Sequence, residues 1–474
     1  EKPVLYYWQA IIAYRIFGVS DLAARLPSAV DATLMVVTVY LFLRRFRPGF
    51  HLDGALITAS CAGVIGFARA ASTDMPLAAT FTVAMLAWYA WYESRIKAYL
   101  AWSYLFLGVG VLAKGPIAPV LAVLVVALFA TLKHEFRLLR QTAWIPGIVI
   151  FLAIVLPWYV AVQIKNPEFF RVFILQHNLA RFGTNLYHHA EPFWYFLPVA
   201  LLALLPWTVF AIVALSQRVS EWRKRRDVET EGSFSLFLVI WLLVPVVFFS
   251  ISQSKLPGYI LPAVPAGALV VVEYIRTHCA KEKSPRPWQI VIHALVASGL
   301  LVPALMIQYI LLQHRMPWGK AVVPVVFATV CAISIVAMVR ISGFRMLRFA
   351  TLIPAVLVVG IVLRFGSPLL DASLSARPLA IEIVSLQPKL ASQDETMQVA
   401  VFEASRETEF GLAFYLDRPI LRYERHEIPA GEHLVVAPEG SQTIVASVVP
   451  GRRVSYLGTI AAQRLDYFWI EAQK

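Results

Sequence analysis

The chain has 474 residues, of which 59% are apolar and 15% charged, whereas an ordinary soluble domain is about half apolar and roughly a quarter charged. A single soluble globule is thereby excluded. The net charge of +13, from 42 Lys and Arg against 29 Asp and Glu, does not point to nucleic acid. Its basic clusters, Arg44 to Arg47, Lys133 to Arg140, Arg223 to Arg226 and Lys281 to Arg286, fall in short loops between apolar runs, where such residues set membrane orientation.

In chain order, Glu1 and Lys2 precede a stretch, residues 3–18, that is too short and mixed to span a bilayer. Its Tyr6, Tyr7 and Trp8 suit an interfacial helix with rings at headgroup depth. The chain opens at Glu1 with no methionine, which leads to the expectation that residues precede it. Windows of about 19 residues then give twelve apolar runs, near 26–46, 53–70, 75–93, 98–113, 115–133, 143–163, 193–216, 234–252, 257–276, 288–313, 320–340 and 347–365. With alternating sides, the loops richest in Lys and Arg share one face, which is cytoplasmic by the positive-inside bias. The opposite face receives Glu1 to Arg25, Arg69 to Asp74, Lys114-Gly115-Pro116, the loop 164–192, Ser254 to Tyr259 and the C-terminal tail.

From about Asp371 the composition becomes water-soluble. A helical stretch at 377–391 is followed by short apolar runs at 398–404, 411–416, 433–437, 443–449 and 453–458, separated by turn signals such as Asp417-Arg418-Pro419 and Pro450-Gly451 as strand breaks would be. The expected architecture is an all-α polytopic membrane protein with a small C-terminal α/β domain outside the membrane. Its parts are a juxtamembrane segment at 1–25, a transmembrane domain at 26–370 and a soluble domain at 371–474. Cys61, Cys279 and Cys331 are scattered and form neither a disulfide framework nor a metal ribbon.

Several polar residues interrupt the apolar pattern. Asp74, just before Met75-Pro76, fits either a helix cap or a general base. Lys114 breaks what is otherwise one apolar run from Tyr99 to Leu132. It fits either a hairpin turn with a snorkelling lysine or a functional cation. The loop 164–192 carries Arg171, His177, Asn178, Arg181, His188, His189 and Glu191, side chains suited to a phosphate or, without any fixed ligand spacing, to a divalent metal. Ser254 to Pro262 places Lys255 and Tyr259 at a helix pair broken by prolines, as occurs where membrane helices line a cavity. Together Lys2, Lys114, Arg181, Lys255 and Tyr259 form a cationic, hydrogen-bonding rim on one face, of the kind an anionic lipid headgroup requires.

The strings EKPVLYYW at 1–8, AARLPSA at 23–29, ARAASTDMPL at 68–77, AKGPIAPVL at 113–121, HNLARF at 177–182, EPFWYFLPVALLALLPW at 191–207 and SKLPGYILPAVPA at 254–266 carry a resemblance. Over about residues 1–266 the sequence resembles the bacterial integral-membrane glycosyltransferases of the aminoarabinose transferase and protein O-mannosyltransferase type, in the glycosyltransferase C superfamily. Residues 267–474 are similar in plan alone. The resemblance implies thirteen spans, with one helix and a loop bearing the principal acid upstream of Glu1. It makes Asp74 the second acidic position, Lys2 and Arg181 phosphate contacts, and Glu1 and His177 contacts to a divalent metal such as zinc, magnesium or manganese. Val4 stands where the family usually has a second proline.

Such an enzyme moves a sugar from a polyprenyl phosphate carrier to a lipid A-like glycolipid or a protein. The resemblance places it in the bacterial inner membrane, with its active site facing the periplasm; the placement of the basic clusters speaks against a nucleic-acid partner. The reading from another class is a flippase or transporter of the lipid-linked sugar, although transporters place their sites near the midplane between internal repeats. A third is a carrier-binding protein without turnover.

Overall fold

The computed structural model describes residues 3–173, 191–224, 232–280, 285–312, 318–390 and 397–472. The chain divides into two compact units, one of Glu1–Leu300 with Val325–Val356 and the other of Leu301–Pro324 with Leu357–Lys474.

Within the described residues, all twelve apolar runs fall largely on helical segments. Among the described residues seven helices are individually long and apolar enough to cross a membrane, or eight if the bent pair Phe196–Ala203 and Thr208–Ser220, which turns by 116°, counts as one span. Two of the remaining runs fall short for local reasons. The run at 53–70 is divided at Cys61, whose extended backbone separates His51–Ser60 from Ala62–Phe67. Helix Ile117–Leu132 has 16 residues, fewer than the roughly 20 a full crossing takes.

In the first unit, helix Asp74–Ser94 is buried along almost its whole length. At its far end Trp88, Tyr89 and Tyr92 pack with Phe129 and Phe237, the Tyr89 and Phe237 rings being 4.7 Å apart and the Trp88 and Phe237 rings 5.6 Å apart. Ion pairs surround this end. Arg47 bonds Glu93 through two guanidinium nitrogens at 2.8 and 3.2 Å, and Glu273, 3% exposed, pairs with Arg276 at 2.9 Å. Asp53, 1% exposed, accepts from both Arg345, at 2.8 Å, and Arg348. These arginines hold the 344–348 turn against the start of helix His51–Ser60.

The expected interfacial segment is a helix, Leu5–Phe17, with Tyr7, Trp8, Ile12, Ile16 and Phe17 exposed. Its other side is fastened to helix Asp21–Phe46. Tyr6 donates to the Ala24 carbonyl at 2.5 Å, and the Gln9 amide donates to both oxygens of the buried Asp31 at 3.1 Å. Ser28, one helical turn beyond Ala24, donates to the Ala70 carbonyl at 2.6 Å. One face of this helix therefore anchors both the first helix and the loop that leads into Asp74.

The second unit contains a five-stranded mixed sheet. Its strands are β1 (Gln398–Val401), β2 (Leu421–Arg422), β3 (His433–Pro438), β4 (Val454–Ile460) and β5 (Leu465–Ile470), in the order β2-β1-β3-β5-β4. β1 runs parallel to β2 and β3, while β5 is antiparallel to β3 and β4. Helix Arg377–Leu390 matches the expected helical stretch. Two expected strand runs are helical instead. The run 411–416 ends helix Arg406–Leu416, whose N-cap Ser405 accepts from the Thr408 amide at 3.1 Å with Glu407 and Glu409 in the first turn. These capping groups satisfy the helix start and outweigh a short apolar run. The run 443–449 lies largely in helix Gln442–Val448. β5, which hydropathy runs missed, is buried at all six positions.

Candidate active site

The site arises where three chain segments end together. The first is the start of helix Asp74–Ser94. Thr73 is its N-cap and makes no side-chain capping bond, so Asp74 is the first helical residue. Its carboxylate accepts from the Lys114 ammonium. The reading of Asp74 as a cap therefore gives way to a pairing across the fold.

Lys114 is the last residue of helix Lys97–Lys114. The next residue, Gly115, has φ 89°, a conformation that glycine takes without steric cost. Pro116 follows at φ −68° and caps helix Ile117–Leu132, which suits the fixed φ of proline. The hairpin turn is thus real, but its lysine turns inward rather than snorkelling. The side chains of Lys114 and Asp74 are 25% and 18% exposed, which leaves the pair within reach of a ligand.

The third segment is the 3-10 turn Pro257–Ala263. Its Tyr259 ring lies under the Lys114 ammonium, 4.6 Å from nitrogen to centroid, a cation–π geometry. Phe249 and Phe196 back the same ring at 5.0 and 6.4 Å. Lys255, 6% exposed, donates to the Ser252 carbonyl at 2.5 Å. Its ammonium is thus held by the backbone of Ser252.

Of the residues singled out from sequence, Asp74, Lys114 and Tyr259 are brought together, with Lys255 on the adjoining loop. Glu1, Lys2, His177 and Arg181 lie outside the described residues, as do Asn178, His188 and His189. Arg171 pairs with Glu168 at 3.4 Å on an exposed turn, and Glu191 is exposed. Among the described residues no group of three or more His, Cys, Asp and Glu side chains is placed to hold a metal ion. The two positions expected to contact a metal, Glu1 and His177, are not among them. Sequence reading missed Phe196 and Phe249, which sit in apolar runs without a distinguishing signal. It also missed Asp31, whose signal was an acid within an apolar run.

The model of the dolichyl-phosphate-mannose-protein mannosyltransferase family matches residues 1–160. Among curated relatives, the undecaprenyl phosphate-alpha-4-amino-4-deoxy-L-arabinose arabinosyl transferase 1 of Pseudomonas fluorescens is 34% identical over 277 residues, covering 57% of this chain and 49% of that protein. The corresponding transferase of Aeromonas salmonicida is 28% identical over 459 residues, covering 91% and 81%. The chain thus aligns with about half the length of the Pseudomonas relatives. The crystal structure of ArnT from Cupriavidus metallidurans bound to undecaprenyl phosphate superposes with a TM-score of 0.74 at 22% identity, covering 99% of this chain and 88% of that one. The chain therefore shares sequence with the aminoarabinose transferases over part of their length and with the mannosyltransferase model over residues 1–160, and it has the fold of ArnT.

Proposed function

We propose that the protein is a glycosyltransferase of the bacterial inner membrane that moves a sugar from a polyprenyl phosphate to a lipid A-like glycolipid or a protein at the periplasmic face. The observation that carries this reading is the meeting of Asp74, Lys114 and Tyr259 from three separate segments at one end of the helices. The domain from 371 onward is then periplasmic, as is the juxtamembrane segment 1–25.

In the transfer, the bond between the sugar's anomeric carbon and the carrier phosphate breaks, and one from that carbon to the acceptor oxygen forms. The acceptor proton leaves, and the carrier departs as a phosphate anion. Because a phosphate is a good leaving group, the site's main task is to stabilise negative charge as it develops on phosphate oxygens. Lys114 is the described cation best placed for this. Its pairing with Asp74 and its contact with Tyr259 hold the ammonium at the mouth before the ligand arrives. When the phosphate engages Lys114, Asp74 is released to orient the acceptor hydroxyl or take its proton. Lys2 and Arg181 are proposed as further phosphate contacts, and Lys255 as a cation that supports the loop carrying Tyr259. Glu1 and His177 are proposed to hold a divalent metal, which would supply further positive charge for the departing phosphate.

The test incubates the purified protein in detergent with radiolabelled polyprenyl-phosphate sugars and a membrane-lipid extract. Label that leaves the carrier and enters the lipid or protein fraction is the expected result. Donor that is retained without transfer would contradict the enzyme reading and favour carrier binding or flipping.

A further inference from the structure

We propose that Gly258 is a positioning residue for the Asp74 carboxylate, a role that rests on the glycosyltransferase reading above. A β-carbon added at Gly258 would lie 2.6 Å from the Asp74 carboxylate carbon and 2.8 Å from each of its oxygens. Real β-carbons essentially never come that close to another heavy atom, so something must shift.

Conformational freedom does not explain this glycine. Gly258 is absent from the glycines with positive φ. It lies within a 3-10 turn between Pro257 and Tyr259, where an alanine would adopt the same backbone. What the position requires is space. The turn is also held from behind. Trp241 donates its indole N–H to the Pro262 carbonyl at 2.9 Å in the buried interior. Tyr259 is packed against Phe249 and Phe196. Gly258, Ile260, Leu261, Pro262 and Ala263 are all buried. With the shelf fixed, the movable partner is the carboxylate itself, which is the end of Asp74 that pairs with Lys114.

Gly258 therefore lets the backbone of the turn form one wall of the Asp74 site. It limits the carboxylate to a position from which it reaches Lys114. A side chain there would displace the acid without deleting any functional group. A misplacement of about 1 Å in a reacting constellation costs on the order of 100-fold in rate.

The test is a double-mutant cycle in transfer kinetics, using the full chain and radiolabelled polyprenyl-phosphate sugar, with thermal unfolding in detergent as the folding control. In the wild-type background, Gly258→Ala is expected to lower kcat about 10- to 100-fold while KM for the donor changes by less than about threefold. In the Asp74→Asn background, the same substitution is expected to lower the remaining kcat by less than about twofold, because its route of action is already gone. Equal losses in both backgrounds would mean that Gly258 acts through general packing, and would overturn the proposal. So would a Gly258→Ala enzyme with kcat within about twofold of wild type.

If Gly258→Ala does not fold, Asp74→Glu makes the same test from the other side, since its extra methylene drives the carboxylate into the wall at Gly258. A wild-type kcat in that variant overturns the proposal. Wild-type protein that transfers no label overturns the glycosyltransferase reading itself, and this role with it.

Discussion

The first unit carries ion pairs at both ends of the helix Asp74–Ser94, and the two ends are built differently. Asp74 and Glu93 are 19 residues apart in one helix, which separates them by roughly 28 Å at about 1.5 Å per residue. At the Glu93 end the acids meet arginines. Asp53 is 1% exposed and clasped by two of them, and Arg47 grips Glu93 through two nitrogens. Arginine offers a rigid planar fork, and such pairs fix geometry. At the Asp74 end the acid meets a lysine over an aromatic ring, and both side chains keep some access to solvent. Lysine is a compact charge on a flexible stem that can change partner. The first end latches helices together, while the second is the end we propose exchanges the carboxylate for a phosphate.

This contrast predicts opposite consequences for similar substitutions. The largest effect on stability is expected from Asp53→Ala, which leaves Arg348, 13% exposed at its side chain, and Arg345 without their carboxylate. Removing one partner of a buried pair costs about 3–5 kcal/mol, to be read from chemical unfolding in detergent, with kcat per folded molecule unchanged. Asp74→Asn is expected to do the reverse, lowering kcat by about 100-fold with unfolding shifted by less than about 1 kcal/mol. If both variants lost stability equally and neither lost kcat selectively, the distinction between latch and site would be wrong.

Smaller effects sharpen the same comparison. Tyr259→Leu removes the ring beneath Lys114, an interaction of about 0.5–2 kcal/mol. It should appear as a severalfold rise in KM for the donor. Gln9→Ala leaves the Asp31 carboxylate, 4% exposed, without its amide donor. An unsatisfied buried group costs about 1–3 kcal/mol, and hydrogen exchange should show the Leu5–Phe17 helix protected less than the rest of the unit.

The smallest predicted effect lies in the second unit. Buried His433 meets the Tyr423 hydroxyl at 2.6 Å and the Gly431 carbonyl at 2.8 Å. Burial pulls its imidazole below the ordinary range, opposed in part by the Gly431 bond and aided to a lesser extent by the nearby Arg452 charge. The folded state therefore binds this proton less readily than the unfolded chain, and stability declines as pH falls through the unfolded value of about 6.5. The slope from this group is at most about 1.4 kcal/mol per pH unit. Hydrogen exchange of the β3 and β5 amides at pH 7 and pH 5.5 measures it, and His433→Gln should remove it.

What the sequence made legible follows from how sharply each residue departs from its surroundings. Lys114 stood out because charge within an apolar run is costly, and Asp74 because it is an acid just before a proline-containing helix start. Tyr259 and Lys255 stood out because prolines broke the helix beside them. Their convergence was not legible, since a pairing across 40 residues leaves no local trace. Gly258 was visible within its string, but its reason, the nearness of the Asp74 carboxylate, exists only in three dimensions. In the second unit, Ser405 and its following acids turned an apolar run into a helix. β5 was missed because Asp466 interrupts the apolar pattern, although in the fold that side chain accepts from the Gly440 amide at 2.8 Å and from Thr459.

The central claim is that the Asp74 and Lys114 end is the site of sugar transfer. Its most direct test measures label transfer from a radiolabelled polyprenyl-phosphate sugar by wild type and Asp74→Asn, normalised to folded protein. Transfer by wild type that falls about 100-fold in Asp74→Asn, with unchanged thermal unfolding, is the predicted result. Equal transfer by both would contradict the account.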